Sequence, residues 1–268
     1  VKNIITLLSF FFVFSSCLKV GEKTQSTIYT QYFTPDLYSN LVYWLDSESL
    51  SHYQNGEYIQ SWMDKSASKK NMIQPTSAFA PTARPNALNG FTSAYFNGSK
   101  YMSVAAFSPA EGSRPRTFFV LLNNSAHVAG NYQQIVYSYG TGSSGPSALG
   151  IDYNLSLGLS NSINIGFEFN QRNSNSNMPL TAAPIIVTST YDGTKHSIYI
   201  NGVVYGTNTV ALNTATSFPF TLGKNFQTAY NVYWGKFELL ELIMYDRLLN
   251  ATEIENIHYY LNQKYKIN

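Results

Sequence analysis

From Leu41 onward, short apolar and aromatic runs alternate with Gly, Asn and Asp breaks at close, even intervals. The breaks include Asn55-Gly56, Asn89-Gly90, Asn97-Gly98, Gly140, Gly150, Asp192-Gly193, Asn201-Gly202 and Gly223. Runs of this length between turn residues predict many antiparallel strands. The clearest fall at Arg116–Leu122, Gln134–Tyr139, Ala148–Tyr153, Ile163–Phe169, Pro184–Tyr191, Ser197–Ile200, Val203–Tyr205 and Phe237–Tyr245. Ser197 to Tyr205 reads as a hairpin, because Asn201-Gly202 supplies the positive φ angles of a type I′ turn between β-branched and aromatic flanks.

One helix is predicted, at the C-terminus. Asn250 caps it, and Glu253 completes a capping-box start. Ile254, Ile257, Leu261 and Tyr265 recur at helical spacing and form a stripe for the sheet. Lys264 and Lys266 suit the negative pole of the helix dipole. The polar run Asn170 to Asn177 reads as an exposed loop. No internal repeat is present.

A different pattern opens the chain. Lys2 precedes the apolar run Ile4 to Phe14, and Ser15-Ser16-Cys17 follow. The run is roughly eleven residues, too short to cross a bilayer core of about 30 Å as a helix, and has the three parts of an export signal. Cys17, the single cysteine, sits where cleavage would fall. That arrangement resembles a bacterial lipoprotein lipobox, which implies removal of residues 1–16 and lipid attachment at Cys17. A simple secretory signal and a retained hydrophobic helix are the other readings. Residues 17–40 are polar and irregular and read as a tether whose end meets the sandwich. Residues 41–268 are then one sandwich domain, within the size range of a single core.

Only 12% of residues are charged and the formal net charge is +2. Without a Lys/Arg run to track phosphates, nucleic-acid binding is disfavoured. Tyr occurs 21 times and Phe 17 times, which suits a half-buried pleated surface and equally a surface that stacks on sugars.

Four segments resemble one known family. Leu41-Val42-Tyr43-Trp44-Leu45-Asp46 with Ser61-Trp62-Met63-Asp64-Lys65-Ser66 is similar to the opening of laminin-G-like domains in the concanavalin A-like lectin/glucanase superfamily. Tyr95 to Met102 resembles its paired strands. Thr190-Tyr191-Asp192-Gly193 with Tyr199-Ile200-Asn201-Gly202 resembles its hairpin, and Glu241 to Leu249 with Glu253-Ile254 its end. The resemblance implies an all-β jelly-roll sandwich of two antiparallel sheets, with one C-terminal helix, and Trp44 and Trp62 in its core. It leaves activity open, because this fold hosts many functions.

Hydrolases of the superfamily carry Glu-x-Asp-x-Glu on one strand face. The nearest match here is Glu238-Leu239-Leu240-Glu241. Regular alternation sends these two glutamates to opposite faces, with Glu241 beside Phe237, Leu239, Ile243 and Tyr245. His52, His127, His196 and His258 form no lyase or zinc pattern, and His196 and His258 read as solvated positions. No catalytic set is expected. The resemblance also implies calcium, for which Asp64, Asp152 with Asn154, and Asp192 are candidates; as turn residues they could equally bond their own backbone. For ligand contact the candidates are Trp234, Tyr132, Tyr153 and Arg172, unless these cover the sandwich edge.

Three functions remain in view. The first is a non-catalytic lipoprotein of the cell envelope, at the outer membrane or cell surface, whose lectin-like domain binds glycan or matrix protein. The second is a structural lipoprotein that contacts another envelope protein. The third is a polysaccharide-cleaving enzyme with an unfamiliar site. Oligomeric state is left open.

Overall fold

The computed structural model describes residues 33–105, 110–123, 134–139, 153–157, 163–167, 171–176, 184–209, 214, 219–224 and 234–267. The expected signal, Cys17 and most of the tether lie outside them. In chain order the strands begin with β1 (Leu41–Asp46), β2 (Ser61–Trp62), β3 (Met72–Ile73), β4 (Thr82–Leu88), β5 (Phe91–Asn97) and β6 (Met102–Val104). β7 (Arg116–Asn123), β8 (Gln134–Tyr139), β9 (Tyr153–Leu157), β10 (Ile163–Phe167) and β11 (Gln171–Ser176) follow. The rest are β12 (Ile185–Tyr191), β13 (Lys195–Ile200), β14 (Val203–Thr209), β15 (Phe220–Leu222) and β16 (Lys236–Tyr245), before the helix α1 (Ala251–Tyr265).

The strands form two antiparallel sheets. One runs β14-β13-β12-β7-β16-β5-β4, with β1 added on β16; the other runs β11-β10-β9-β8-β15-β6-β3-β2. Most expected strands appear within a few residues of their predicted bounds. The strand predicted at Ala148–Tyr153 lies outside the described residues except for Tyr153, the first residue of β9. One expectation is corrected. The Asn-rich run is not a loop: Gln171–Ser176 pairs with β10 as an outer strand, where backbone hydrogen bonding outweighs the low β-propensity of Asn and Ser.

The core lies between the sheets. Tyr43, Trp62, Phe96, Phe118, Tyr137, Phe220 and Phe237 all enter it and are fully buried. Phe96 and Phe237 stack with centroids 4.7 Å apart. Burying an aromatic or aliphatic side chain of this size contributes about 1.5–3 kcal/mol, so these residues carry much of the stability. Trp44 is also buried, as expected, but its indole N–H is directed to Glu241.

The hairpin forms as predicted, with φ of 48° at Asn201 and 82° at Gly202. Asn250 and Glu253 form a reciprocal capping box at the start of α1. The helix buries Ile257, His258, Leu261 and Tyr265 against the first sheet, where the His258 ring meets Phe119 at 5.7 Å and Tyr265 Oη bonds Glu241 Oε2 at 2.6 Å. Its far end is held by Asn89 Nδ2, which donates to the Tyr265 carbonyl at 2.7 Å.

The compact unit starts at Pro35, earlier than the predicted boundary. Tyr245 Oη donates to the Pro35 carbonyl at 2.7 Å, and Arg247 Nε donates to that of Ser39 at 3.1 Å. The backbone N–H of Asp246 donates to the Asn40 carbonyl at 3.1 Å. Residues 35–40 are thus bound by partners some two hundred positions away, which no local pattern announces.

Candidate functional site

The two glutamates of β16 lie on one face, contrary to the alternation expected. Glu238 pairs across from Asn123 and Glu241 from Leu121, because the register shifts by one residue between Leu239 and Glu241. Phe237, Leu239, Leu242 and Met244 enter the inter-sheet core, so Glu241 does not share a face with Phe237 or Leu239. A bulge inserts an unpaired residue and restores the facing after it.

Both carboxylates are saturated. Glu238 accepts from Ser93 Oγ at 2.8 Å and Asn123 Nδ2 at 3.3 Å, and it is ion-paired to Arg84. Glu241 takes Trp44 Nε1 at 2.8 Å, Tyr260 Oη at 2.9 Å and Lys264 Nζ at 2.9 Å. Lys264 also reaches Asp46 Oδ2 at 3.0 Å, and Lys65 meets the same oxygen at 2.7 Å. Burial pushes the Asp46 carboxyl up, but Lys264 and then Lys65 pull it below the ordinary aspartate value. Burial and the Glu241 charge push Tyr260 and Tyr265 well above the ordinary phenol value, so both remain hydrogen-bond donors. This network fastens α1 to the sheet and occupies the oxygens of Glu241 and Asp46.

A different group of side chains gathers at the β2–β3–β6–β15 end of the second sheet. Trp234 stands beside Tyr101, with centroids 5.9 Å apart and planes at 62°. Phe79 also packs on Tyr101, with centroids 6.0 Å apart. Lys224 Nζ lies 3.5 Å from the centroid of Tyr101 and 5.7 Å from that of Trp234. Lys100 Nζ lies 5.3 Å from the Tyr58 centroid and donates to the Ala78 carbonyl at 2.6 Å. Tyr58 and Phe79 are each 46% exposed, so the row meets solvent.

Two glycines make the gathering possible. The Gly235 N–H donates to the Gly223 carbonyl at 2.8 Å, and Lys224 bridges to Trp234 beside it. At Gly223, with φ of +85°, a Cβ would stand 2.4 Å from the Lys100 carbonyl; at Gly235 it would stand 2.2 Å from that of Ile135. Only bare backbone fits at either place. The pair thereby sets Lys224 and Trp234 against Tyr101.

Of the predicted ligand residues, Trp234 is in this row, half-buried. Tyr153 is the first residue of β9, and Arg172 lies in β11. Tyr132 lies outside the described residues, as does Asp152; Asn154 is in β9. Asp64 is fully buried rather than open to an ion. Its Oδ1 accepts from the N–H of Trp44 at 3.0 Å and of Ser66 at 2.9 Å, and its Oδ2 from Ser66 Oγ at 2.9 Å and Lys70 N at 3.0 Å. The carboxylate therefore organises its own turn. Asp192 Oδ1 accepts from Thr194 N at 2.7 Å and Lys195 N at 2.6 Å, and these bonds hold its carboxyl below the ordinary value. Among the described residues, no group of three His, Cys, Asp or Glu side chains stands together to hold a metal.

His196 and His258 are buried, not solvated. His258 Nε2 shares a hydrogen bond of 2.9 Å with Thr188 Oγ1. Sequence reasoning also missed Tyr58, Phe79, Lys100, Tyr101 and Lys224. The available signal was Gly223-Lys224 and Trp234-Gly235, where a glycine adjoins a large side chain in each of two separate segments.

Residues 124–255 match a laminin G family model described as the Concanavalin A-like lectin/glucanases superfamily. No curated protein matches. Among solved structures, the binding domain of Paraclostridial Mosquitocidal Protein 1 is similar at TM-score 0.57 and 14% identity, over 83% of this chain and 53% of that one. The Trypanosoma rangeli sialidase is similar at TM-score 0.54 and 16% identity, over 92% and 38%. A mutant GH54 α-L-arabinofuranosidase is similar at TM-score 0.58 and 10% identity, over 78% and 51%. The chain thus spans between about a third and a half of these structures, and at such identities the likeness is one of fold. The two antiparallel sheets and the single described α-helix have the architecture of a concanavalin A-like sandwich, and residues 124–255 are similar to that lectin/glucanase superfamily.

Proposed function

We propose that this chain is a non-catalytic, lectin-like binding module that takes glycan at the Tyr58–Phe79–Tyr101–Trp234 row. The observation that carries this reading is the row itself: exposed and half-buried aromatic rings held together by backbone that admits no side chain. An aromatic face packs on the C–H face of a pyranose, and such rings bring large contact area with few rotamers to freeze. The saturation and burial of Glu238 and Glu241 support a binding role over hydrolysis, because paired-carboxylate chemistry needs open oxygens on either side of the scissile bond. The lipobox-like residues ending at Cys17 support carriage on the cell envelope by a lipid anchor.

The test is a glycan array probed with the full chain, with calcium and again with chelator. Binding that Trp234→Ala abolishes is the expected result. A blank array in both conditions would overturn it. For the anchor, Cys17→Ser should move the protein from membrane to soluble fraction; a variant that stays wholly membrane-bound would remove the lipid from the account.

A second reading is contact with another envelope protein. Val203, Val204 and Tyr205 at the hairpin are 61%, 53% and 43% exposed, beside a groove of about 530 Å³ between the hairpin and α1. Loss of a co-purified envelope partner on Val203→Ser/Val204→Ser would favour it.

A further inference from the structure

The aromatic row carries two cations as well as rings, and their pairing differs from that of Lys65 and Lys264. Lys65 and Lys264 are tied to Asp46, Glu48 or Glu241. Among the described residues, Lys100 and Lys224 have no carboxylate within ion-pair distance. Lys224 is held instead by the faces of Tyr101 and Trp234, and Lys100 by Tyr58 and one backbone carbonyl.

A ring face fixes an ammonium without consuming its N–H donors, of which there are three. Each lysine is therefore oriented beside a stacking surface with donors still to place. A sugar seated on Trp234 brings its ring substituents to the Lys224 amine, which lies over the neighbouring Tyr101 ring. A hydroxyl there gains a neutral-acceptor hydrogen bond, whereas a carboxylate or sulfate gains a charge-assisted bond about twice as strong.

We infer that the row selects anionic saccharides, those bearing a carboxylate or sulfate, with Lys224 as the main selecting residue and Lys100 as a second contact toward the Tyr58 end. The assignment rests on the glycan-binding reading above and adds the ligand class to it. Because the Lys224 ammonium is set before the ligand arrives, less side-chain entropy is lost on binding than for a free surface lysine.

The experiment is an array holding uronate-bearing and sulfated oligosaccharides, each beside its uncharged parent, probed with the full chain at low and at high NaCl. Charged members should bind about tenfold tighter than their parents at low salt, a ratio that shrinks as salt screens the contact. Lys224→Gln should remove most of that ratio by weakening the charged members far more than their neutral parents, and Lys224→Arg should restore part of it. Carboxylated and sulfated arms distinguish the two sources of charge, and preference for either supports the inference. Equal binding of charged and neutral members would overturn it and leave glycan binding intact. A preference unchanged in Lys224→Gln and Lys100→Gln would overturn the placement at this row. A blank array would overturn this inference together with the glycan-binding reading.

Discussion

Glu238 and Glu241 share one face of β16 because a bulge lies between them. Three positions apart on a regular strand they would be opposed. The extra residue comes from the Leu239-Leu240 pair, both fully buried. Deleting one leucine of the pair should restore a regular strand without turning Glu238, Glu241 or Met244 to new faces. The expected cost is that of one buried leucine, about 2–5 kcal/mol in urea unfolding, with the transition still cooperative. Deleting Ile243 should do far more damage, since it turns Met244 out of the core and moves Tyr245 away from the Pro35 carbonyl. Equal behaviour of the two deletions would show that the bulge does not set the facing.

Lys264 holds two carboxylates under α1, and its removal should cost more than an exposed ion pair. Lys264→Met leaves Asp46 and Glu241 buried with one cation fewer, an expected loss of about 3–5 kcal/mol. The pH response has a definite sign. Lys264 and then Lys65 overcome burial and draw the folded Asp46 carboxyl below its unfolded value, so its contribution is present above about pH 4 and lost as pH falls through the lower, folded value. In Lys264→Met the Asp46 carboxyl rises, and the acid-unfolding midpoint should move to higher pH. A midpoint that stays in place would mean that Lys65 alone holds Asp46.

The buried histidines act in a different window. Burial pushes His258 down to about 4, and burial with Arg116 pushes His196 to about 3. The unfolded chain takes up a proton at each near pH 6.5 while the folded chain stays neutral. Stability therefore falls as pH drops from about 6.5 and continues to fall until each folded value is reached, about 3 kcal/mol in all for His258. His258→Gln keeps a side chain able to bond Thr188 and removes one titrating group. The slope of stability against pH between 6 and 5 should drop by about 1.4 kcal/mol per unit. An unchanged slope would remove His258 from the acid response.

Local chemistry that uses neighbouring residues was legible. Asn201-Gly202 announced its turn and Asn250 with Glu253 their cap, since each satisfies its backbone within a few positions. The bulge was not legible: two adjacent leucines look the same whether they alternate or crowd one side. His196 and His258 looked solvated because polarity alone gives no sign of the partner that pays for burial, here Thr188 for His258. Trp234 was found as a loop aromatic just before the last strand. Tyr58, Phe79 and Tyr101 were indistinguishable from strand-filling aromatics, and the contacts that join them cross from one segment of the chain to another.

The two glycines behind the aromatic row give the sharpest separation between fold and site. Gly223→Ala meets a backbone carbonyl and the Phe96 ring, and it does so at a positive φ, so relief must come from moving the chain. Gly235→Ala meets the Ile135 carbonyl and the Phe237 ring. Each should cost roughly 1–3 kcal/mol from overpacking, with an added backbone penalty at Gly223. The displacement is transmitted directly to Lys224 and Trp234, which adjoin the two glycines and bridge to one another. Both variants should therefore shift the Trp emission spectrum under conditions where circular dichroism still reports a folded sheet, and both should weaken saccharide binding. Gly56→Ala is the control, because its φ of +79° carries backbone strain while a Cβ there meets nothing within 4 Å. It should lose stability without changing the Trp signal or binding. If Gly56→Ala impairs binding as much as Gly235→Ala at matched stability, the row does not depend on close backbone approach at Gly223 and Gly235.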